Sequence, residues 1–112
     1  MIQAGGYTSE LKYRDSGEKV INESANMLTN SRGTVAMARA LDPDSASAQF
    51  YINVKDNNQL DFKDGFPGYT VFGLVTDGMQ IVEQIELVDT NIQQGMQAVP
   101  IRPIIIKSIR GL

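Results

Sequence analysis

Two runs of alternating bulky and small or polar residues, joined by a polar loop, form the clearest pattern in the chain and occupy residues 33–54. One side of these runs carries Val35, Met37, Phe50, Ile52 and Val54, and the other carries Ala36, Ala38, Ala40, Gln49, Tyr51 and Asn53. A period of two residues predicts two β-strands that pair as a hairpin, with their bulky sides in a core. Gln49 and Tyr51 would then stand beside a shallow surface of alanines, a shape that can hold a small ligand group.

Other apolar runs predict three more strands and one helix. Residues 1–4 are apolar before a glycine pair, residues 69–75 are rich in β-branched and aromatic residues, and residues 103–110 contain three consecutive isoleucines; each is typical of a strand. In residues 69–75 we expect Val71 and Gly73 to share one face. Beyond Asp77 the apolar period becomes helical, which predicts a helix that begins at an Asp77 cap, includes Ile81 and packs on the sheet.

The connections are long and polar. Residues 7–30 lack apolar periodicity and predict a surface excursion with short helical or extended pieces, and residues 89–99 predict a polar connection. With at least five strands, one helix and no βαβ rhythm, the fold class is predicted to be mainly β, with antiparallel pairing.

Composition narrows the chemistry that the chain can perform. Its 112 residues and 42% hydrophobic content indicate a single domain, and a net charge of −3 with scattered basic residues argues against nucleic acid as a partner. No apolar run approaches the ~20 residues of a membrane span. Without histidine or cysteine there is no Ser-His-Asp triad, thiolate nucleophile or His/Cys zinc site, so no metal or cofactor is expected. Asp42 and Asp44 are interpreted as turn residues, because the glycine and the final glutamate of a calcium loop are absent.

Several ordered motifs carry a family likeness over nearly the whole chain: MIQAGG, RGTVAMARA, SASAQFYINV, LDF, GYTVFGLVTDGM and IVEQIE. In this order and spacing they resemble the cyclophilin-type peptidyl-prolyl cis-trans isomerases, particularly bacterial members. The resemblance implies an antiparallel barrel of eight strands closed by two helices, with a proline-binding groove on its outer face. Residues 1–112 would supply about five of those strands and one helix, as a partial domain that is incomplete at its N-terminus.

The resemblance also implies which residues bind substrate. Its motifs place Met1 and Gln3 on one groove strand, Ala38, Arg39 and Ala40 along the bound peptide, Gln49 and Tyr51 on the next strand, Leu60 in the pocket, and Tyr69 where eukaryotic members often have histidine. The family's essential arginine belongs to a strand that would precede Met1, so no catalytic residue is expected within this chain. Arg39 lies nearest to the predicted groove, but its motif role is to flank the peptide.

The function implied is acceleration of cis-trans isomerisation at Xaa-Pro bonds of peptides and unfolded proteins, which assists folding. Two alternatives remain open: a proline-peptide binding or assembly module without catalysis, and an inactive fragment. A barrel without three of its strands would expose edges and core side chains, so we also expect low stability and possible self-association. The compartment is not assigned beyond bacterial cytoplasm or periplasm.

Overall fold

A computed structural model describes residues 1–112 and contains six β-strands and one α-helix. The strands are Ile2–Ala4 (β1), Thr34–Met37 (β2), Phe50–Ile52 (β3), Val71–Leu74 (β4), Thr90–Gln93 (β5) and Met96–Pro100 (β6), the helix is Met79–Glu86 (α1), and Ser24–Asn26 and Asn58–Leu60 are short 3-10 helices. Four strands form one antiparallel sheet in the order β1-β3-β2-β4, and β5 pairs with β6 in a separate sheet. The prediction of a mainly β, antiparallel fold is confirmed. Within these residues the two sheets stay open and do not close into a barrel.

The predicted hairpin of β2 and β3 is confirmed, and the structure supplies its register. Ala36 of β2 pairs with Tyr51 of β3, and on their outer sides Val71 of β4 pairs with Ala36 and Gln3 of β1 pairs with Tyr51. Directly opposed residues project to the same side of a sheet, so these four residues form one row, and we name their side the tyrosine face. The opposite side, the bulky face, carries Ile2, Ala4, Val35, Met37, Phe50 and Ile52.

The most buried side of the sheet is the opposite of the one predicted. The bulky face was predicted to be the interior, yet Val35, Met37, Phe50 and Ile52 are only half-buried. The most deeply buried side chains lie on the tyrosine face, where Ala36 is 0% exposed and Tyr51 2%. The reason is that two connecting segments, one with Asn30 and one with Leu60 and Tyr69, fold over the tyrosine face.

Strand β4 does not alternate as predicted. A bulge in the β2–β4 pairing, between Val35 and Ala36, places Gly73 opposite Val35 and Val71 opposite Ala36. Because Val35 and Ala36 project to opposite sides, Val71 and Gly73 do not share a face, and the prediction that they do is wrong. A β-bulge adds one residue to a strand and so interrupts its alternation, which depends on the neighbouring strand and not on local sequence.

Helix α1 forms where predicted but is capped differently. Its N-cap is Gly78 in the left-handed conformation, with φ 94°, and no side chain caps it, so the predicted Asp77 cap is wrong. Glycine adopts this conformation without the steric cost that a Cβ would add. The helix buries Val82, contacts β1 and joins the loop before β2 through an Arg32–Glu83 ion pair, while Ile81 stays 52% exposed.

The C-terminal region departs most from the sequence prediction. Residues 103–110 form no strand: their backbone makes no hydrogen bond to another segment, and their isoleucines are exposed. Residues 89–99, predicted as a connection, instead contain β5 and most of β6. Gln94 and Gly95 both have positive φ, 50° and 78°, which is the geometry of the two-residue turns that favour hairpins.

Residues 7–30 form the predicted excursion, with one 3-10 helix and isolated bridges between Tyr7 and Tyr13 and between Val20 and Ala46. The helices are all too short or too polar to cross a membrane.

We predict that Gly68→Ala destabilises the fold. A Cβ at position 68 would lie 2.5 Å from the Phe62 nitrogen and 2.7 Å from the Leu60 carbonyl oxygen, both backbone atoms that cannot move independently. The free energy of unfolding should fall by roughly 1–3 kcal/mol, measured by urea denaturation followed by far-UV circular dichroism. Gly111→Ala is the matched control, since no atom lies within 4 Å of its Cβ position; equal stability of the two variants would contradict the prediction.

Candidate functional site

The tyrosine face gathers four of the residues that the resemblance assigned to substrate binding. Ala36, Tyr51 and Val71 form its buried base, and Ala38, Leu60 and Tyr69 pack against them. Tyr51 comes from β3, Leu60 from the 3-10 helix Asn58–Leu60, and Tyr69 from the segment that leads into β4. Ala38, Tyr51, Leu60 and Tyr69 are thus brought together from four segments of the chain.

Two aromatic rings and one guanidinium form the rim. The rings of Tyr51 and Tyr69 meet edge to face, with centroids 6.1 Å apart and planes at 74°, a favoured aromatic arrangement. The guanidinium carbon of Arg39 lies 4.5 Å from the centroid of the Tyr69 ring, close enough for a cation–π interaction. Tyr69 is therefore held from both sides.

The Arg39 guanidinium is hydrogen-bonded to backbone carbonyl oxygens of the protein. Its Nη2 donates to the carbonyl oxygen of Pro67 at 2.6 Å, and its Nη1 donates to that of Ala40 at 2.9 Å. Further, longer hydrogen bonds reach the carbonyl oxygens of Leu41 and Gly68. Arg39 thus fastens the loop after β2 to the loop before β4. An open depression of about 500 Å³ lies beside it, lined by Arg39, Ala40, Leu41, Pro43, Phe66, Pro67 and Tyr69.

Gln3 and Gln49 form the polar edge of the site. The Nε2 of Gln3 donates to the Oε1 of Gln49 at 2.9 Å. The remaining groups, the Oε1 of Gln3 and the Nε2 of Gln49, make no hydrogen bond within the chain. They present one acceptor and one donor to solvent. An extended peptide backbone carries the complementary N–H and C=O groups.

Other predicted residues lie at the margin. Ala40 is exposed, and its nitrogen donates to the Ser45 hydroxyl. Met1 precedes β1, is 44% exposed and lies outside the packed cluster. The structure therefore places Met1 and Ala40 near the ends of the groove strands and does not join them to the cluster.

Sequence reasoning missed the buried amides behind the site. Asn30 and Asn53 are 0% exposed and Asn57 is 3% exposed. The Oδ1 of Asn30 accepts the Tyr51 hydroxyl at 2.7 Å and an Nδ2 hydrogen of Asn53 at 3.1 Å. For Asn53, the sequence did offer a signal of burial, because it follows Tyr51 by two residues and therefore projects to the same side. Asn30 lies in an irregular segment, where no sequence pattern indicates burial.

Tyr51 is held in its neutral form. Burial raises the pKa of its hydroxyl far above the ordinary value of 10.0, the nearby Tyr69 and Asp61 raise it further, and Arg39 opposes them. The hydroxyl is therefore a permanent donor to Asn30 at neutral pH and is not a proton carrier for a substrate. No group of three His, Cys, Asp or Glu side chains that could hold a metal ion occurs. The arrangement can bind an apolar ring and the backbone next to it.

Comparison with known proteins shows the family to which the chain belongs. Residues 1–110 match the profile of the family described as cyclophilin type peptidyl-prolyl cis-trans isomerase/CLD. The chain belongs to this cyclophilin-type family. It is 45% identical to the peptidyl-prolyl cis-trans isomerase cyp18 of Streptomyces antibioticus, over 100% of this chain and 69% of that protein.

Two further bacterial relatives within the cyclophilin-type family are equally similar. The chain is 44% identical to the peptidyl-prolyl cis-trans isomerase of Acinetobacter baylyi, over 98% of this chain and 58% of that protein. It is 45% identical to peptidyl-prolyl cis-trans isomerase B of Escherichia coli, over 97% of this chain and 68% of that protein. The chain thus spans between 58% and 69% of the length of these relatives.

We predict that stability falls above pH 10 because of Tyr51. The hydroxyl pKa is raised in the folded state, so the unfolded chain loses this proton first as the pH passes about 10. The free energy of unfolding should then decrease by up to about 1.4 kcal/mol per pH unit. Urea denaturation at pH 8 and above pH 10 should show a smaller decrease for Tyr51→Phe than for the unmodified chain. An equal decrease in both proteins would assign the pH dependence to other groups.

Proposed function

We propose that this chain binds Xaa-Pro segments of peptides and unfolded proteins on the tyrosine face and accelerates cis-trans isomerisation of the Xaa-Pro bond. The observation that carries the proposal is the convergence of Ala38, Tyr51, Leu60 and Tyr69 on one apolar site bordered by the free amide groups of Gln3 and Gln49. Family membership and relatives named as peptidyl-prolyl cis-trans isomerases support the reaction. In the cell, this activity would assist folding.

The reaction needs no nucleophile, base or metal. Rotation about an Xaa-Pro bond faces a barrier of ~18–20 kcal/mol because amide resonance must be broken, and no covalent step is involved. A protein accelerates the rotation by binding the twisted amide more tightly than either planar form. In this site an apolar surface holds the proline ring, and Gln3 and Gln49 hold the neighbouring backbone while the bond rotates.

One observation favours binding without catalysis as the second candidate function. A guanidinium that donates to the proline nitrogen or carbonyl would stabilise the twisted amide. Arg39 is the arginine that contacts the rim, but its guanidinium hydrogen-bonds to four carbonyl oxygens of the protein. If no guanidinium reaches the substrate, the site binds the peptide without accelerating rotation, which is the second candidate function.

We predict that Gln49→Ala weakens binding of a short Ala-Pro peptide. Removing one backbone hydrogen bond should cost about 1 kcal/mol, roughly a fivefold loss of affinity. Titration followed by NMR chemical shifts gives the affinity, and exchange spectroscopy on the same samples gives the cis-trans rate. Gln80→Ala, on the exposed side of α1, is the control and should match the unmodified chain in both measurements.

The two readouts separate the candidate functions. Acceleration that Gln49→Ala reduces and Gln80→Ala preserves supports catalysis at this site. Binding without acceleration would overturn the catalytic proposal and leave the binding module. Absence of both binding and acceleration by the unmodified chain would overturn both.

A further inference from the structure

A single buried side chain connects three segments that form the groove. Asn30 is 0% exposed and lies in a segment that covers part of the tyrosine face, so it has no access to a bound peptide. Its Oδ1 accepts the hydroxyl hydrogen of Tyr51 at 2.7 Å. Its Nδ2 carries two hydrogens, which it shares among the Asp61 carboxylate at 3.1 Å and, over longer hydrogen bonds, the carbonyl oxygens of Leu60 at 3.3 Å and Tyr69 at 3.4 Å. One side chain thus reaches the buried base and both covering residues of the site.

The backbone and side chain of Asn30 are themselves held by further hydrogen bonds. Asp61 accepts hydrogen bonds from the Asn30 backbone nitrogen at 2.6 Å and from its Nδ2 at 3.1 Å. The Asn30 carbonyl accepts the backbone N–H of Asn57 at 2.8 Å. The Tyr69 nitrogen donates to the Leu60 carbonyl oxygen at 2.9 Å, so the two residues that pack over Tyr51 are also hydrogen-bonded to each other.

The chemistry of the position suits asparagine. It needs an oxygen that accepts two hydrogens, from Tyr51 and Asn53, and a nitrogen that donates to the oxygens facing it. A carboxylate would supply the acceptor, but it would remove the donors and place a buried negative charge beside the half-buried Asp61. An apolar side chain would leave the Tyr51 hydroxyl and two carbonyl oxygens without this partner.

We propose that Asn30 is a positioning residue for the groove: it holds the Tyr51 ring and the segments carrying Leu60 and Tyr69 in the arrangement that a proline-containing peptide binds. This inference rests on the proposed function. A site whose parts are already in place avoids the cost of ordering them during binding. Asn30 therefore acts on substrate through other residues and makes no contact with it.

The first test needs no peptide. In the unmodified chain the Tyr51 ring should flip slowly on the NMR timescale, and its hydrogen-bonded hydroxyl proton should be observable. Asn30→Ala should abolish the hydroxyl signal, speed the ring flips and shift the Tyr69 backbone amide. Asn57→Ala is the matched control, because it removes a buried amide that hydrogen-bonds to Asn53 and Gln59 and to neither Tyr51 nor Tyr69; it should leave the Tyr51 hydroxyl signal in place. Unchanged ring dynamics in Asn30→Ala would overturn the proposal whether or not the chain is an isomerase.

The second test measures Ala-Pro peptide affinity in a double-mutant cycle. Asn30→Ala should weaken binding roughly tenfold, for the loss of more than one hydrogen bond behind the site, whereas Asn57→Ala should stay within about twofold at equal folded fraction. In a Tyr51→Phe background, Asn30→Ala should have a smaller effect, because part of its influence passes through the missing hydroxyl. The same loss of affinity in both backgrounds, or no loss in either, would overturn the inference.

If Asn30→Ala does not fold, Tyr51→Phe tests the positioning role of Asn30 instead. This variant keeps the ring and deletes only the oxygen that bonds to Asn30. The proposal then requires faster ring flips at position 51 together with weaker peptide binding, and unchanged values of both contradict it. If the unmodified chain binds no peptide, the proposed function fails, and the peptide-free measurements still report whether Asn30 sets the geometry.

Discussion

The hydrogen bond between the Tyr51 hydroxyl and Asn30 is the interaction on which the rest of the site depends. Tyr51 is almost fully buried beneath the segments that cover the tyrosine face, so its hydroxyl must find a partner within the protein. The partner comes from residue 30, in a segment with no regular structure of its own. Because Asn30 also binds the segments of Leu60 and Tyr69, satisfying one buried hydroxyl determines how the loops cover the sheet.

This arrangement explains why the tyrosine face, and not the bulky face, holds the most buried residues. The Asn30 amide donates to backbone carbonyl oxygens of the covering segments, and Asn53 and Asn57 extend this network through side-chain hydrogen bonds. No buried side-chain polar atom lacks a hydrogen bond. Arg39 has the same role at the surface, where it joins two loops and stacks on Tyr69. The result is a site whose apolar centre is supported by polar contacts behind it and beside it.

Such a site suits a reaction that proceeds by binding alone. Tyr51 is locked as a neutral donor to the protein, and Arg39 is committed to carbonyl oxygens, so neither offers a proton to a substrate. The groups that remain free are the amide termini of Gln3 and Gln49. One acceptor and one donor match the N–H and C=O groups of the backbone on either side of a proline. Binding of this kind involves no covalent step.

The sequence alone determined the local features of this protein. Alternation over residues 33–54 predicted the β2–β3 hairpin, its two faces and the Gln49–Tyr51 side, because a period of two residues expresses strand geometry directly. The ordered motifs identified the family, and the resemblance grouped Leu60 and Tyr69 with Tyr51, which no local pattern would have done; the three pack together in the structure.

Tertiary structure alone decided what depends on distant neighbours. Residues 103–110 have the composition of a strand but form none, because a strand requires a second backbone to pair with. The sequence of β5 and β6 is less typical of strands, yet the two pair as a hairpin because the Gln94–Gly95 turn brings them together. The bulge opposite Val35 reflects the register between two strands, which neither strand encodes by itself. Asn30 resembles any surface asparagine in the sequence; only folding brings Tyr51, Leu60 and Tyr69 around it, and a buried amide must bond to whatever surrounds it.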